Sequence, residues 1–164
     1  MTATGEQLGY IGLGNMGAPM AGRLVSWPGG LTVFDVRRDA MAPLVDAGAT
    51  AADGIAAVAE ADVISVTVLD DAQVRGVILG EDGLARNAKP GTVIAIHSTI
   101  GDSTAAELAA ELEGDGIHVI DAPVSGGAGA AASGQLATMV GAPREVYERV
   151  KPISKQWASL VIHA

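Results

Sequence analysis

The sequence predicts an α/β domain built on a doubly wound, mostly parallel sheet. Three observations lead there. Short runs rich in Val and Ile alternate with Ala-rich segments whose apolar residues recur at helical spacing. Residues that start and stop helices punctuate the joins. The composition is rich in small residues, with 22 Gly and only five aromatics, Tyr10, Trp27, Phe34, Tyr147 and Trp157, so the core must be built mainly from Val, Ile, Leu, Ala and Met.

The expected strands, in order, are Leu8–Leu13, Leu31–Phe34, Val63–Leu69, Thr92–Ile96, Ile117–Ile120, Ala137–Val140 and Leu160–Ile162. Each is a short, nearly continuous apolar run, the pattern of a strand buried on both faces. Between them, Met16, Met20 and Leu24 fall at i, i+4 and i+8. Met41, Leu44 and Val45 share a helical face, as do Leu108 with Leu112, and Val146 with Val150 and Ile153. Asp39, Asp102 and Pro143 stand where helices should begin, and Gly48, Gly80 and Gly114 where they should end. Strand, helix, strand in this order builds right-handed crossovers and a parallel sheet covered on both sides.

A chain of 164 residues suits one domain, expected to span 1–164. There is no repeat and no linker; the Ala/Gly run 126–134 is too short and too apolar for one. Ten basic against 19 acidic residues give a net charge of −9, which argues against nucleic acid or an anionic membrane as the main partner. No cysteine is present, so neither a disulfide framework nor thiol chemistry is expected. Residues 1–6 carry neither a basic nor an apolar leader segment, and the longest apolar run, Ala56–Leu69, is broken by Glu60 and Asp62. The expectation is a cytoplasmic protein.

The first strand runs into Gly12-Leu13-Gly14-Asn15-Met16-Gly17 and then a helix. That is the context in which a GxGxxG spacing binds a dinucleotide. Gly12 allows the tight turn, Gly14 lets a pyrophosphate approach the backbone, and Gly17 lets helix and strand pack closely. The first helical N–H groups and the positive end of the helix dipole point at the same spot. Pro19, in the first turn, forfeits no hydrogen bond. In a Gly-rich chain this spacing alone is weak, but its second half is present: Leu31-Thr-Val-Phe-Asp35 ends the next strand on a carboxylate. Asp35 can accept both ribose hydroxyls of NAD and repels the extra phosphate of NADP. Arg37 and Arg38 complicate that preference, since an arginine in this loop can pair with a 2′-phosphate. NAD is therefore the expected cofactor, with NADP possible. The plainer alternative makes Asp35 a strand-end cap and the arginines solvated charges.

Further stretches carry a family resemblance over essentially the whole chain. "IGLGNMGAPMAGRL" resembles the start of the β-hydroxyacid dehydrogenases, which include 3-hydroxyisobutyrate dehydrogenase, tartronate semialdehyde reductase and the related 6-phosphogluconate dehydrogenases. "DVISVTVLDDAQV" (62–74) resembles their strand and loop along the cofactor, "STI" (98–100) the segment beside the nicotinamide, and "IDAPVSGGAGAAASGQLATMVGA" (120–142) their substrate-binding stretch. The resemblance implies a Rossmann-type fold. It implies that Gly12, Leu13, Gly14, Asn15 and Met16 hold the pyrophosphate and Asp35 the adenosine ribose. Val68 and Leu69 would line the cofactor, with Gln73 beside them and Thr99 at the nicotinamide and its ribose. Ser125, Gly126 and Gly127 would bind the carboxylate and hydroxyl of a small hydroxy acid. A hydroxyl beside glycine N–H groups independently suits a small anion; the plain alternative is a turn into a helix.

The sequence departs from the family pattern in three places. Ile96 stands where relatives often carry Asp, and Gly101-Asp102-Ser103 where they often carry Pro. The family's catalytic lysine follows the strand matched by Leu160–His163, beyond Ala164, together with an asparagine and an all-helical second domain. The expectation is that this chain alone supplies no catalytic residue and binds dinucleotide with little or no turnover, while the longer protein forms a homo-oligomer. Lys89, Lys151 and Lys155 read as surface charges, and His97 as a satisfied structural histidine rather than a substitute acid or base. His118 and His163 lack partners in the pattern, and no metal-ligand spacing occurs. Two alternatives remain: a stand-alone NAD(H)-binding regulatory or interaction module, and the cofactor half of an imine reductase, which the "PVSGG" stretch disfavours because it suits a carboxylate.

Overall fold

The computed structural model describes residues 5–101 and 103–164. Six parallel strands form the main sheet: β1 (Leu8–Ile11), β2 (Leu31–Phe34), β3 (Thr50–Ala51), β4 (Val63–Val66), β5 (Val93–Ile96) and β6 (His118–Asp121). Their spatial order is β3-β2-β1-β4-β5-β6, so the chain reverses direction across the sheet between β1 and β4. At such a reversal the connections leave toward opposite faces and open a crevice at the carboxyl ends of the two central strands. The expected Rossmann-type α/β architecture is thus observed.

Helices α1 (Gly17–Gly22), α2 (Ala42–Asp46), α3 (Ile55–Val58), α4 (Asp71–Leu79), α5 (Leu84–Asn87) and α6 (Thr104–Leu112) connect these strands. Side chains alternate between two core layers. Leu8, Tyr10, Val33, Val63, Val93 and Ala95 pack with Met20, Leu24 and Trp157 on one face. Ile11, Ile64, Val66, Ile94 and Ile96 pack with Val58, Val74, Ile78 and Leu108 on the other. β1, β4 and β5 are buried along their whole length, which explains their unbroken apolar runs.

After β6 the chain builds a smaller sheet, β7 (Val124–Ser125), β8 (Leu136–Val140) and β9 (Ala158–His163), with α7 (Gly127–Ser133) and α8 (Arg144–Ser154) between its strands. β7 runs antiparallel to β8, and β8 parallel to β9. A bridge between Asp121 and Gly141 joins the two sheets. Here the expectation of strands buried on both faces fails. Met139 and Leu160 are each 52% exposed, and Ile162 is exposed beside Met139, because among the described residues no helix covers that side of β8 and β9.

Other boundaries shift for local reasons. β1 stops at Ile11 because Gly12 takes φ +97°. β4 ends at Val66, and Thr67–Leu69 form the loop instead. The two-residue strands β3 and β7 had no sequence signal. Asp39 lies inside a 3-10 turn (Arg38–Met41) rather than capping a helix. Val45 is exposed while Met41 and Leu44 are buried. Gly116, left-handed at φ +74°, ends the segment after α6, not Gly114, which sits within the turn Glu113–Asp115. Pro143 caps α8 as expected, and Asp102 lies outside the described residues.

The end of the sheet opposite the crevice is fastened by one buried ion pair. Glu6, only 5% exposed, accepts from Nε and Nη2 of Arg149 at 2.9 and 2.6 Å. Arg149 also donates to the Gly91 carbonyl at 2.9 Å, and Trp27 donates its indole N–H to the Glu6 carbonyl at 3.0 Å. α8, the start of β1 and the start of β5 are thereby joined at one point.

Candidate functional site

The three glycines after β1 have three different physical causes. A side chain on Gly12 would collide with the Thr67 carbonyl, and its φ of +97° is one that L residues rarely adopt. One on Gly17 would collide with the Gly12 carbonyl, so α1 can start this close to the strand only without a Cβ. Gly14 is unlike either: its φ is ordinary, and a Cβ there would meet nothing within 4 Å. Folding does not require glycine at 14. The N–H groups of Gly14, Asn15 and Met16 donate to no hydrogen bond among the described residues. The loop therefore offers a bare, donor-rich backbone to whatever occupies the space in front of it.

That space is a cleft of about 470 Å³ at the carboxyl ends of β1, β2 and β4. Of the residues expected at the site, Gly12, Gly14, Asp35, Arg37, Val68, Leu69 and Gln73 line it. Its remaining walls come from Ile11, Phe34, Val36, Ile55, Thr67, Gly76 and Val77, which no motif singled out. Val36 and Leu69, each 86% exposed, stand over the cleft from the loops after β2 and β4. Large apolar side chains left this bare beside a cavity are suited to covering a flat, apolar ligand surface.

Asp35 lines the cleft at the end of β2. Its Oδ2 accepts the Leu13 N–H at 2.7 Å and its Oδ1 the Arg37 N–H at 2.8 Å, with Arg37 Nε 3.8 Å from Oδ1. A carboxylate has about four acceptor positions, so two remain for a ligand. Asp35 also ties the glycine loop to the end of β2, a bond that sequence reasoning did not foresee. The Leu13 N–H is spent on that bond while its side chain is buried in the core. Arg38 turns away, its guanidinium donating to the Asp53 carbonyl at 3.2 Å and lying 3.9 Å from the Asp53 carboxylate.

On the other side of the crevice, Gln73 folds back so that its Oε1 accepts the Leu69 N–H at 2.7 Å, and Asp70 caps α4 by accepting the Gln73 N–H at 2.9 Å. Ser98 Oγ accepts the Val68 N–H at 2.8 Å. Thr99 follows, exposed, in the loop after β5, and does not line the cleft. Ser125, Gly126 and Gly127 are exposed where β7 turns into α7, past the carboxyl end of β6; Gly126 and Gly127 take φ +136° and +81°.

The basic groups weighed as proton carriers lie elsewhere. Lys89 pairs with Asp62 at 2.8 Å at the far end of the sheet, and Lys151 sits 5.8 Å from the centre of the Tyr147 ring. His97 is buried between Tyr10 and Trp157, with Nδ1 2.9 Å from the Ala122 carbonyl and Nε2 3.0 Å from Ser65 Oγ. Burial lowers its pKa from 6.5 to about 4, so it is neutral and structural. The depressed value fixes the sign of a pH effect: the unfolded chain takes up a proton near pH 6.5, the folded one only near pH 4. The stability associated with neutral His97 is whole above pH 6.5 and lost as the pH falls toward 4. Urea unfolding is expected to show about 3 kcal/mol less stability from this group at pH 4 than at pH 7. A His97→Asn variant, compared over the same range, should lack that portion of the slope; equal slopes would contradict it.

The family model described as the NAD binding domain of 6-phosphogluconate dehydrogenase matches residues 7–164. The chain is 64% identical over 166 residues to an uncharacterized oxidoreductase of Mycobacterium tuberculosis, covering 100% of this chain and 56% of that protein. It is 39% identical over 160 residues to the NAD-dependent L-serine dehydrogenase of Pseudomonas aeruginosa, covering 97% and 54%. Among solved structures, the 3-hydroxyisobutyrate dehydrogenase of M. tuberculosis with L-serine superposes with a TM-score of 0.88 at 34% identity, covering 99% of this chain and 54% of that one. The chain spans little more than half the length of these relatives.

Proposed function

Because the chain belongs to the family of the NAD binding domain of 6-phosphogluconate dehydrogenase, we propose that it is the cofactor-binding part of an oxidoreductase that acts on a small 3-hydroxy acid. The observation that carries this reading is Gly14, which is bare without a folding reason and faces the same cleft as Asp35.

The residues present fit a dinucleotide. The free N–H groups of Gly14, Asn15 and Met16 would receive the pyrophosphate, and the two unused acceptor positions of Asp35 the adenosine ribose hydroxyls. Val36 and Leu69 would cover the adenine, losing apolar surface to it. Arg37, exposed and already leaning on Asp35, stays beside the ribose without displacing the carboxylate. Since Asp35 is fixed by two N–H groups and Arg38 is drawn toward Asp53, the wall favours two hydroxyls over a 2′-phosphate, and NAD over NADP. NAD, when bound, supplies hydride transfer at the carbon bearing the substrate hydroxyl. Val68, Gln73 and Thr99 would flank the second nucleoside across β4 and β5. Ser125 and the N–H groups of Gly126 and Gly127 would hold the substrate carboxylate, since glycines at positive φ bring the backbone close to an anion. The names of the serine and 3-hydroxyisobutyrate dehydrogenases among the relatives support a small hydroxy acid.

Calorimetric titration with NAD and NADP tests the cofactor reading. The wild-type chain is expected to bind NAD more tightly. Asp35→Ala should cost about 1–3 kcal/mol of NAD affinity, the loss of a charged hydrogen-bond partner, and narrow the gap to NADP. Tighter binding of NADP by the wild type would assign the wall to Arg37 instead.

A further inference from the structure

We propose that Asp71 is a positioning residue for the nicotinamide half of the dinucleotide, holding the loop after β5 so that Thr99 stands against that half. This rests on reading the cleft as a dinucleotide site. The sheet order places the adenosine half over β2, where Asp35 stands, and the other nucleoside over β4 and β5. On that reading the loop after β4 serves both halves, with Leu69 over the adenine and Val68 toward the other nucleoside, so a residue that orders the loop after β5 acts on one end of the ligand only.

Those two loops are tied twice. Before Thr99, Ser98 Oγ accepts the Val68 N–H at 2.8 Å. After it, the Gly101 N–H reaches both carboxylate oxygens of Asp71, at 3.2 and 3.0 Å, and the Thr104 hydroxyl donates to Oδ2. Only Thr99 and Ile100 stand between the ties. Ile100 packs against the core, while Thr99 is exposed. The span is pinned at both ends and presents one polar side chain. Gly101 gives the carboxylate its room, since a Cβ there would lie 3.1 Å from Asp71 Oδ2. Further along the same helices Arg75 pairs with Glu107, so α4 and α6 are held together beyond this point. The Thr104 hydroxyl and Gly101 N–H keep the Asp71 carboxyl below its usual range, so the tie is charge-assisted at neutral pH. Asp71 does not line the cleft itself, and its effect on the ligand is through the loop.

The test compares two ligands on the 164-residue chain: NADH, and ADP, which lacks the nicotinamide and its ribose. Asp71→Ala is expected to weaken NADH about tenfold and to leave ADP within about twofold of wild type. The rise in NADH fluorescence on binding should fall with it. Asp71→Asn, which keeps an acceptor for the Gly101 N–H, should restore most of the loss, and Thr104→Val should fall between. Thermal midpoints guard against a fold effect, because unfolding would lower both ligands together. Equal weakening of NADH and ADP, or no change in either, overturns the proposal while the dinucleotide reading stands. Failure of the wild-type chain to bind either ligand overturns both.

Discussion

Valine in place of Gly14 is expected to abolish dinucleotide binding while the protein remains folded. The two halves of that result come from one feature of the backbone. Position 14 has an ordinary φ and open space around its missing Cβ, so a Cβ there meets no protein atom within 4 Å. Substitutions at such exposed, unstrained sites change stability by roughly 0.5 kcal/mol or less. The same group fills the space before the free N–H groups of the loop. Loss of at least about a hundredfold in NAD affinity, about 3 kcal/mol, is expected by calorimetry, with the thermal midpoint within about 2 °C of wild type. Valine at Gly12 or Gly17 should do the reverse and damage folding first, because each would drive a Cβ into a backbone carbonyl. Retention of NAD affinity by Gly14→Val would remove the main support for the site.

The largest expected effect on stability lies at the other end of the sheet. Arg149→Met strands the Glu6 carboxylate, which is nearly inaccessible and pairs with no other cation among the described residues. Removing one partner of a buried pair costs about 3–5 kcal/mol, more than the pair contributes relative to an apolar replacement. For a chain of this size that corresponds to a drop of roughly 10 °C in the thermal midpoint. Glu6→Gln in the Arg149→Met background should recover much of it, since it removes the uncompensated charge. A double variant no more stable than Arg149→Met would point to lost packing of the arginine stem instead.

The sheet was legible because the strands that matter most are buried on both faces. β1, β4 and β5 leave unbroken Val/Ile runs, and the distance from Gly12 to Asp35 marks two neighbouring strand ends. The same burial erases the alternation that would say which layer each residue enters, so Tyr10 and Ile11 look alike in sequence yet face opposite cores. The exposed face of β8 and β9 was misread for the converse reason. Met139, Leu160 and Ile162 are as apolar as core residues, and only the tertiary arrangement leaves them uncovered. At the cleft, the placement of Asp35, Gly12 and Gly14 was legible because it depends on backbone position. Val36 and Leu69 were not, because an apolar lip and an apolar core residue share one alphabet. The bonds from Leu13 to Asp35 and from Gly101 to Asp71 span loops whose approach no local pattern encodes.

On the reading proposed above, Asp35 would serve the ribose as well as the Leu13 N–H, which bears on how the cofactor could be exchanged. On that reading an exchange toward NADP begins by removing that charge, and truncation to alanine would also release the Leu13 N–H that steadies the glycine turn. Selectivity and grip are coupled through one side chain. A lineage or an engineer moving to the phosphorylated cofactor would pass through variants that hold neither nucleotide well, unless another acceptor for Leu13 were installed first. Serine or asparagine at position 35, which keeps an oxygen near that N–H, offers a shorter route than alanine.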